Sequence, residues 1–238
     1  MTEPVRSVLG FLSLSRPGAV PYVIPMRWTL PNILTVLRLL AAPGLAIMFL
    51  YFARPWADWF ALVLFVGAAV TDWIDGYVAR SWKQESRFGA MLDPIADKAM
   101  VLIALLVIVG YSSMSPWLVL PATVIVFREV FVSGLREFLG AEASLLKVTN
   151  LAKWKTTAQM VAIAVLFSRD IFLYHMIERS EGMAGDTAAV VANAGWLAPA
   201  RDVAGGVGVT LLWIAAALTL VTGWDYFRKS LPFLKDGR

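Results

Sequence analysis

The chain has 238 residues, of which 59% are hydrophobic and 16% charged, with a formal net charge of +4 and a mean hydropathy of +0.69. A soluble domain of this length is not so apolar throughout, so the composition indicates one integral membrane domain. With no cysteine and a single histidine, disulfides, thiolate nucleophiles and Cys-ligated metals are excluded, and the small positive excess suits lipid headgroups and phosphates rather than nucleic acid.

Residues 1–31 carry Pro4, Pro17, Pro21, Pro25 and Pro31 and no small-residue cleavage site after a compact apolar core, so no cleavable leader is expected. The stretch "VRSVLGFLSLSRPG" mixes apolar and basic residues. It reads as a juxtamembrane segment, lying on the membrane surface or disordered. A membrane helix needs about 20 mostly apolar residues. Six stretches meet or approach that, roughly 33–53, 57–79, 93–111, 115–138, 155–178 and 206–227. The expected fold is therefore all-α, a polytopic membrane protein with six transmembrane helices, and residues 32–238 form its transmembrane domain. Asn32 is read as a cap of the first helix, and Pro94 as a first-turn residue of the third, where its missing N–H is harmless. Gly205, Gly206 and Gly208 are read as opening the sixth. Trp56, Trp59, Trp117 and Trp224 read as interface anchors.

Basic residues set the orientation. Arg6, Arg16 and Arg27, then Arg80, Lys83 and Arg87, then Arg136, Lys147, Lys153 and Lys155, then Arg228, Lys229, Lys235 and Arg238 fall on one side. On the other, Arg54 stands alone in one loop and "YSSMSPW" has no Lys or Arg, while the long loop 179–205, mixed in sign with Arg179 and Arg201, blurs the pattern but weighs little. Both termini and the segment after the second stretch are expected to be cytoplasmic. His175, far along the fifth stretch, reads as an ordinary interfacial residue.

One polar cluster interrupts this apolar chain: Asp72, Asp75, Asp93 and Asp97. Asp72 and Asp75 are three apart and share a helix face, which Gly76 and Ala79 extend with small residues. Asp93 and Asp97 are four apart and share a face of the next helix. Two helices joined by a short loop are expected to be neighbours, so the four carboxylates can converge. They cannot all stay ionised in a poorly solvated site without compensation. Protonation, pairing with Arg or Lys, and hard divalent cations are the three ways out, and oxygen-only ligands point to Mg²⁺ or Mn²⁺. Four carboxylates suffice for two such ions, an arrangement suited to in-line displacement at phosphorus. The plainer alternative is that these aspartates cap helices and pair with Arg80, Lys83, Arg87 and Lys98.

The full pattern D-x2-D-G-x2-A-R-x8-G-x3-D-x3-D runs from Asp72 to Asp97. On these eight positions the chain resembles the CDP-alcohol phosphotransferases, an integral-membrane family. The stretches "LPNILTVLRLLAAP", "FREVFVSGLREF" and "KWKTTAQM" resemble its bacterial members that act on glycerol 3-phosphate. The resemblance implies two divalent metals on Asp72, Asp75, Asp93 and Asp97, with Asp97 also the general base. It implies that CDP-diacylglycerol is the donor, its CDP held by Asp75, Gly76, Ala79, Arg80 and Gly89. It implies sn-glycerol 3-phosphate as the acceptor, a homodimer, and a bacterial inner membrane location with the site facing the cytoplasm.

The acceptor would be a dianion and needs cations. Arg128 lies inside an apolar stretch, where a lone Arg is expensive unless it meets an anion. Arg38 sits similarly, and Lys153 and Lys155 open the fifth stretch beside Thr156 and Thr157. These four are the candidates for the acceptor phosphate. Positive-inside topology is the alternative for the two lysines, and an internal pair with Glu129 or Glu137 for Arg128, although Glu129 faces about 100° away on a helix. Other acceptors, among them phosphatidylglycerol, serine and an inositol compound, define the rival activities within the family. A divalent-cation transporter is the rival outside it, though transporters place such sites near the midplane on broken helices.

Overall fold

The computed structural model describes residues 29–82, 87–140, 150–180 and 192–234, with the backbone alone at 30–31, 72–82, 87, 90 and 150–153. Its described residues form six long helices and no strand: α1 Leu30–Tyr51, α2 Trp56–Trp82, α3 Arg87–Gly110, α4 Pro116–Leu139, α5 Asn150–Ser180 and α6 Leu197–Leu234. The chain is an all-α membrane protein. Four helical segments, Asn32–Tyr51, Pro116–Leu139, Trp154–Ser180 and Leu197–Leu234, are long and apolar enough to cross a bilayer, and Trp56–Thr71 is a shorter apolar helix. The expected second and third spans are thus helical, but of the expected six spans these four meet that criterion among the described residues.

Each helix buries one stripe and leaves apolar side chains outside. In α1, Ala42, Leu45 and Phe49 are buried at helical spacing, while Leu37, Leu40, Ile47 and Leu50 are exposed. Such an outward apolar face is a liability in water and ordinary against lipid tails. The buried stripes of α1, α2, α3, α4, α5 and α6 meet in one core around Phe65, Met100, Leu105, Ile125, Ile163, Phe167 and Leu212. α1 packs on α3 and α2, α2 on α5, α4 on α6, and α5 lies along α6. The last contact is close because Gly208 has no side chain: a Cβ there would stand 2.8 Å from the Leu166 side chain.

Several boundaries differ from expectation, for one reason. Hydropathy marks the thickness of the bilayer core, whereas a helix continues until its hydrogen bonding is capped. α3 begins at Arg87, so Pro94 lies inside the helix instead of in its first turn. α1 begins at Leu30 after Thr29, with Pro at its first turn, so Asn32 is a buried residue within the helix and no cap. α6 begins at Leu197, which places Gly205, Gly206 and Gly208 inside it as packing positions. The juxtamembrane reading of 1–31 falls almost wholly outside the described residues. His175 is half-buried and pairs with Glu178 at 3.1 Å, in keeping with an interfacial residue.

Arg54 is far from alone. Its guanidinium lies 3.1 Å from the fully buried Asp58 and 3.6 Å from Asp170, and over the rings of Tyr111 and Phe49 at 4.5 and 5.5 Å. Arg169 adds hydrogen bonds of 2.7 and 2.5 Å to Asp170. This cluster ties the α1–α2 turn to the end of α3 and to α5.

Candidate active site

At the opposite end of α1 the polar groups gather again. One helical turn apart on α3, Asp93 and Asp97 are each met by a residue of α1. Thr35 Oγ1 donates to Asp93 Oδ1 at 2.5 Å. Arg38 Nη1 donates to Asp97 Oδ1 at 3.1 Å. Thr35 and Arg38 are three apart and Asp93 and Asp97 four apart, so both contacts fall along a single α1–α3 seam. The Arg38 side chain is almost wholly buried, whereas that of Asp97 is 52% exposed. Asp97 is therefore anchored from below and open above.

What it opens into is a cavity of about 470 Å³, lined by Arg38, Pro94, Asp97, Lys98, Glu129, Lys155, Thr156, Thr157 and Gln159, with Ala68 and Ala69 from α2 and Met100, Val101, Met160 and Val161 among its apolar wall. Pro94 helps this opening, since a proline inside a helix donates no hydrogen bond to the preceding turn. On the far wall Glu129, from α4, accepts hydrogen bonds from Lys155 Nζ and from Arg128 Nη1, the latter at 3.2 Å. Lys98 Nζ donates to Ser133 Oγ at 2.5 Å, and Ser133 in turn donates to the Glu129 carbonyl at 2.5 Å. Lys155 and Glu129 are both buried, so the pair is held in a low-dielectric setting where each needs the other.

The cavity brings together three predicted residues, Asp97, Arg38 and Lys155. Asp93 lies beside them on α3, and Gly89 is buried in the first turn of that helix. Arg128 is placed elsewhere. It turns toward α6, within 3.4 Å of Thr222 Oγ1, and its stem fills the room left by Gly223, where a Cβ would stand 2.9 Å from Arg128 Cγ. The 100° separation between Arg128 and Glu129 does not keep them apart, because the long arginine side chain reaches back around the helix. Asp72, Asp75, Gly76, Ala79 and Arg80 lie in the last part of α2 and Lys153 in the first turn of α5; their side chains lie outside the described ones. The expected meeting of α2 with α3 shows, among the described residues, in the core they share and in their both bordering this cavity.

Sequence reasoning named Glu129 as an alternative partner of Arg128, which the structure shows, but passed over its pairing with Lys155, and over Gln159. The signal for Gln159 is its spacing: it follows Lys155 by four residues in "KWKTTAQM" and so shares its helix face.

The described donors fit a hard divalent cation in kind. They are carboxylate oxygens with no imidazole or thiolate nearby, and Asp97 presents an accessible carboxylate. Among the described residues no group of three ligating side chains comes together.

Residues 28–224 match the family description "CDP-alcohol phosphatidyltransferase". A protein of Cereibacter sphaeroides named CDP-diacylglycerol–glycerol-3-phosphate 3-phosphatidyltransferase is 67% identical over 221 residues, covering 89% of this chain and 99% of that one. One of the same name from Pectobacterium atrosepticum is 38% identical over 205 residues, covering 85% and 93%. Another from Escherichia coli K12 is 42% identical over 146 residues, covering 60% and 79%. With the match spanning nearly the whole helical bundle and the cavity that Asp97 opens into, the chain belongs to the CDP-alcohol phosphatidyltransferase family.

Proposed function

We propose that this protein transfers the phosphatidyl group of CDP-diacylglycerol to sn-glycerol 3-phosphate, giving phosphatidylglycerophosphate and CMP. The observation that carries this reading is a cavity with a carboxylate on one wall and a buried lysine on another, in a chain 67% identical to a protein bearing that name.

In this reading Asp97 is the general base. Arg38 fixes the carboxylate from α1, and its open side receives the proton of the acceptor hydroxyl. The hydroxyl oxygen bonds to the β-phosphorus of the donor as the bond from that phosphorus to the bridging oxygen breaks, and CMP leaves with those electrons. Lys155 takes the acceptor phosphate, with Lys153 and Arg38 as further cations, while Arg128, turned toward Thr222 of α6, would have to swing back to join them. Glu129 holds Lys155 in place between turnovers. Asp75, Gly76, Ala79, Arg80 and Gly89 are assigned to the CDP moiety. Asp72, Asp75, Asp93 and Asp97 would hold two divalent ions, Mg²⁺ or Mn²⁺. When bound, such ions offset the charge that gathers on the transferring phosphates.

The reading places the cavity at the cytoplasmic face of a bacterial inner membrane, on the side where basic residues concentrate. Residues 32–238 form the catalytic domain behind a juxtamembrane segment, and six helices cross the bilayer. The resemblance also implies a homodimer, which light scattering on detergent-solubilised protein reads directly.

The test is CMP release by purified protein with CDP-diacylglycerol and Mg²⁺, offering glycerol 3-phosphate, phosphatidylglycerol, serine or inositol phosphate separately. Release is expected with glycerol 3-phosphate alone, and Asp97→Asn should lower it by about a thousandfold or more, more than the usual contribution of general base catalysis because metal binding is lost too. Release with another acceptor would keep the chemistry and overturn the acceptor. No release with any of them would overturn the reading.

A further inference from the structure

Gln159 stands out within the cavity. It is 3% exposed, it lines the same space as Asp97 and Lys155, and among the described residues its carboxamide has no hydrogen-bond partner. The other polar lining side chains each have at least one partner, although Arg38 Nε and Nη2 are buried without a hydrogen bond. Arg38 meets Asp97, Lys98 meets Ser133 and Glu129 meets Lys155, while Thr156 and Thr157 also have partners. Its amide is not one of the fully enclosed polar atoms left without a partner, so it faces the cavity, where a hydrogen-bonding group of the substrate can meet it.

The position of Gln159 says which part of the substrate. It follows Lys155 by one turn of α5, so the two side chains leave the helix about 5–6 Å apart on the same face. A phosphate held by Lys155 puts the next carbons of a three-carbon phosphate monoester beside Gln159, with the reacting hydroxyl directed toward Asp97. The group left for Gln159 is the secondary hydroxyl, which donates one hydrogen bond and accepts others. A carboxamide offers one donor and one acceptor side by side. The surrounding wall of Met100, Val101, Met160 and Val161 supplies no competing polar atom.

We infer that Gln159 reads the secondary, non-reacting hydroxyl of the acceptor and is a specificity-determining residue of this site. The inference rests on the glycerol 3-phosphate reading above. A site built to hydrogen-bond a substrate hydroxyl discriminates strongly against the analogue that lacks it, because its own amide is then left unpaired.

The experiment compares glycerol 3-phosphate with 3-hydroxypropyl phosphate, which lacks only the secondary hydroxyl, as acceptors for the wild type and for Gln159→Met. The wild type should favour glycerol 3-phosphate by at least about tenfold in kcat/KM, the low end for a site of this kind. In Gln159→Met the preference should collapse toward unity through a raised KM for glycerol 3-phosphate. The KM for CDP-diacylglycerol and the activity with the deoxy acceptor should stay within about twofold, the scatter of a neutral change. A purely structural role would lower both acceptors and the donor together and leave the preference intact, which overturns the inference. So does a wild type that uses both acceptors equally, an outcome that needs no variant and is decisive even where Gln159→Met does not fold. A wild type inactive with glycerol 3-phosphate sinks the functional reading itself.

Discussion

Removing the Glu129 carboxylate should cost more stability than removing the lysine it holds. The reason is the geometry around one oxygen. Glu129 Oε1 takes both Lys155 Nζ and Arg128 Nη1 at 3.2 Å, and Glu129 and Lys155 are 8% and 7% exposed. In Glu129→Gln, the buried Lys155 and the half-buried Arg128 are left sharing a neutral amide. Breaking a buried pair from one side in this way costs about 3–5 kcal/mol. In Lys155→Met the remaining carboxylate still has Arg128, and the methionine stem fills the lysine's place. The loss there is one charged hydrogen bond, on the order of 1–3 kcal/mol. At about 2–4 °C per kcal/mol for a chain of this size, Glu129→Gln should melt at least about 6 °C below the wild type and Lys155→Met less far below. Combining the two should restore part of the loss, since the double variant carries one uncompensated cation and not two. The assay is the fraction of protein that stays monodisperse in detergent after heating, at fixed detergent concentration. A Lys155→Met variant that loses as much as Glu129→Gln, or a Glu129→Gln variant that melts with the wild type, would refute the shared-oxygen reasoning.

Two further outcomes are expected. Stripping divalent ions with EDTA should abolish CMP release and Mg²⁺ or Mn²⁺ should restore it, while Ca²⁺, larger and looser in geometry, restores less; activity that survives exhaustive chelation would remove the metal role from the four aspartates. Gly208→Ala should destabilise by about 1–3 kcal/mol, because the new Cβ would sit 2.8 Å from the Leu166 side chain and force α5 and α6 apart. Gly206→Ala, with nothing within 4 Å of its Cβ, is the control and should be neutral or slightly stabilising; equal melting of the two variants would sink the close-packing account.

The helices were legible because their cause is local in sequence. Runs such as "ADWFALVLFVGAAV" carry their own signal, and the structure moves only their ends, where capping and not hydropathy decides. The half of the aspartate motif that falls on α3 was legible for the same reason, since four residues make one turn wherever the helix goes. What could not be read is which face of one helix meets which face of another. Arg54 could be counted as the one basic residue of its loop but not paired, because Asp170 belongs to a helix more than a hundred residues away. Arg38 looked like a free cation for a phosphate because its carboxylate, Asp97, lies 59 positions distant.

These pairings carry a common logic. Two of the arginines that the apolar composition makes conspicuous are matched to an acid on another helix, Arg38 to Asp97 and Arg54 to Asp170, while Arg128 meets Glu129 on its own helix and shares it with Lys155 of α5. In a bilayer an unmatched charge is expensive, so such pairs set the rotation of the helices even where they add little net stability. At the α1–α2 turn it is the acids that are closed in, Asp58 fully and Asp170 nearly so, by the two arginines. The pair at the cavity is closed on the arginine side only, with the Asp97 carboxylate left 52% exposed. A pair that serves packing alone has no reason to leave its acid open to a polar cavity. The open side of Asp97 is where the chemistry belongs.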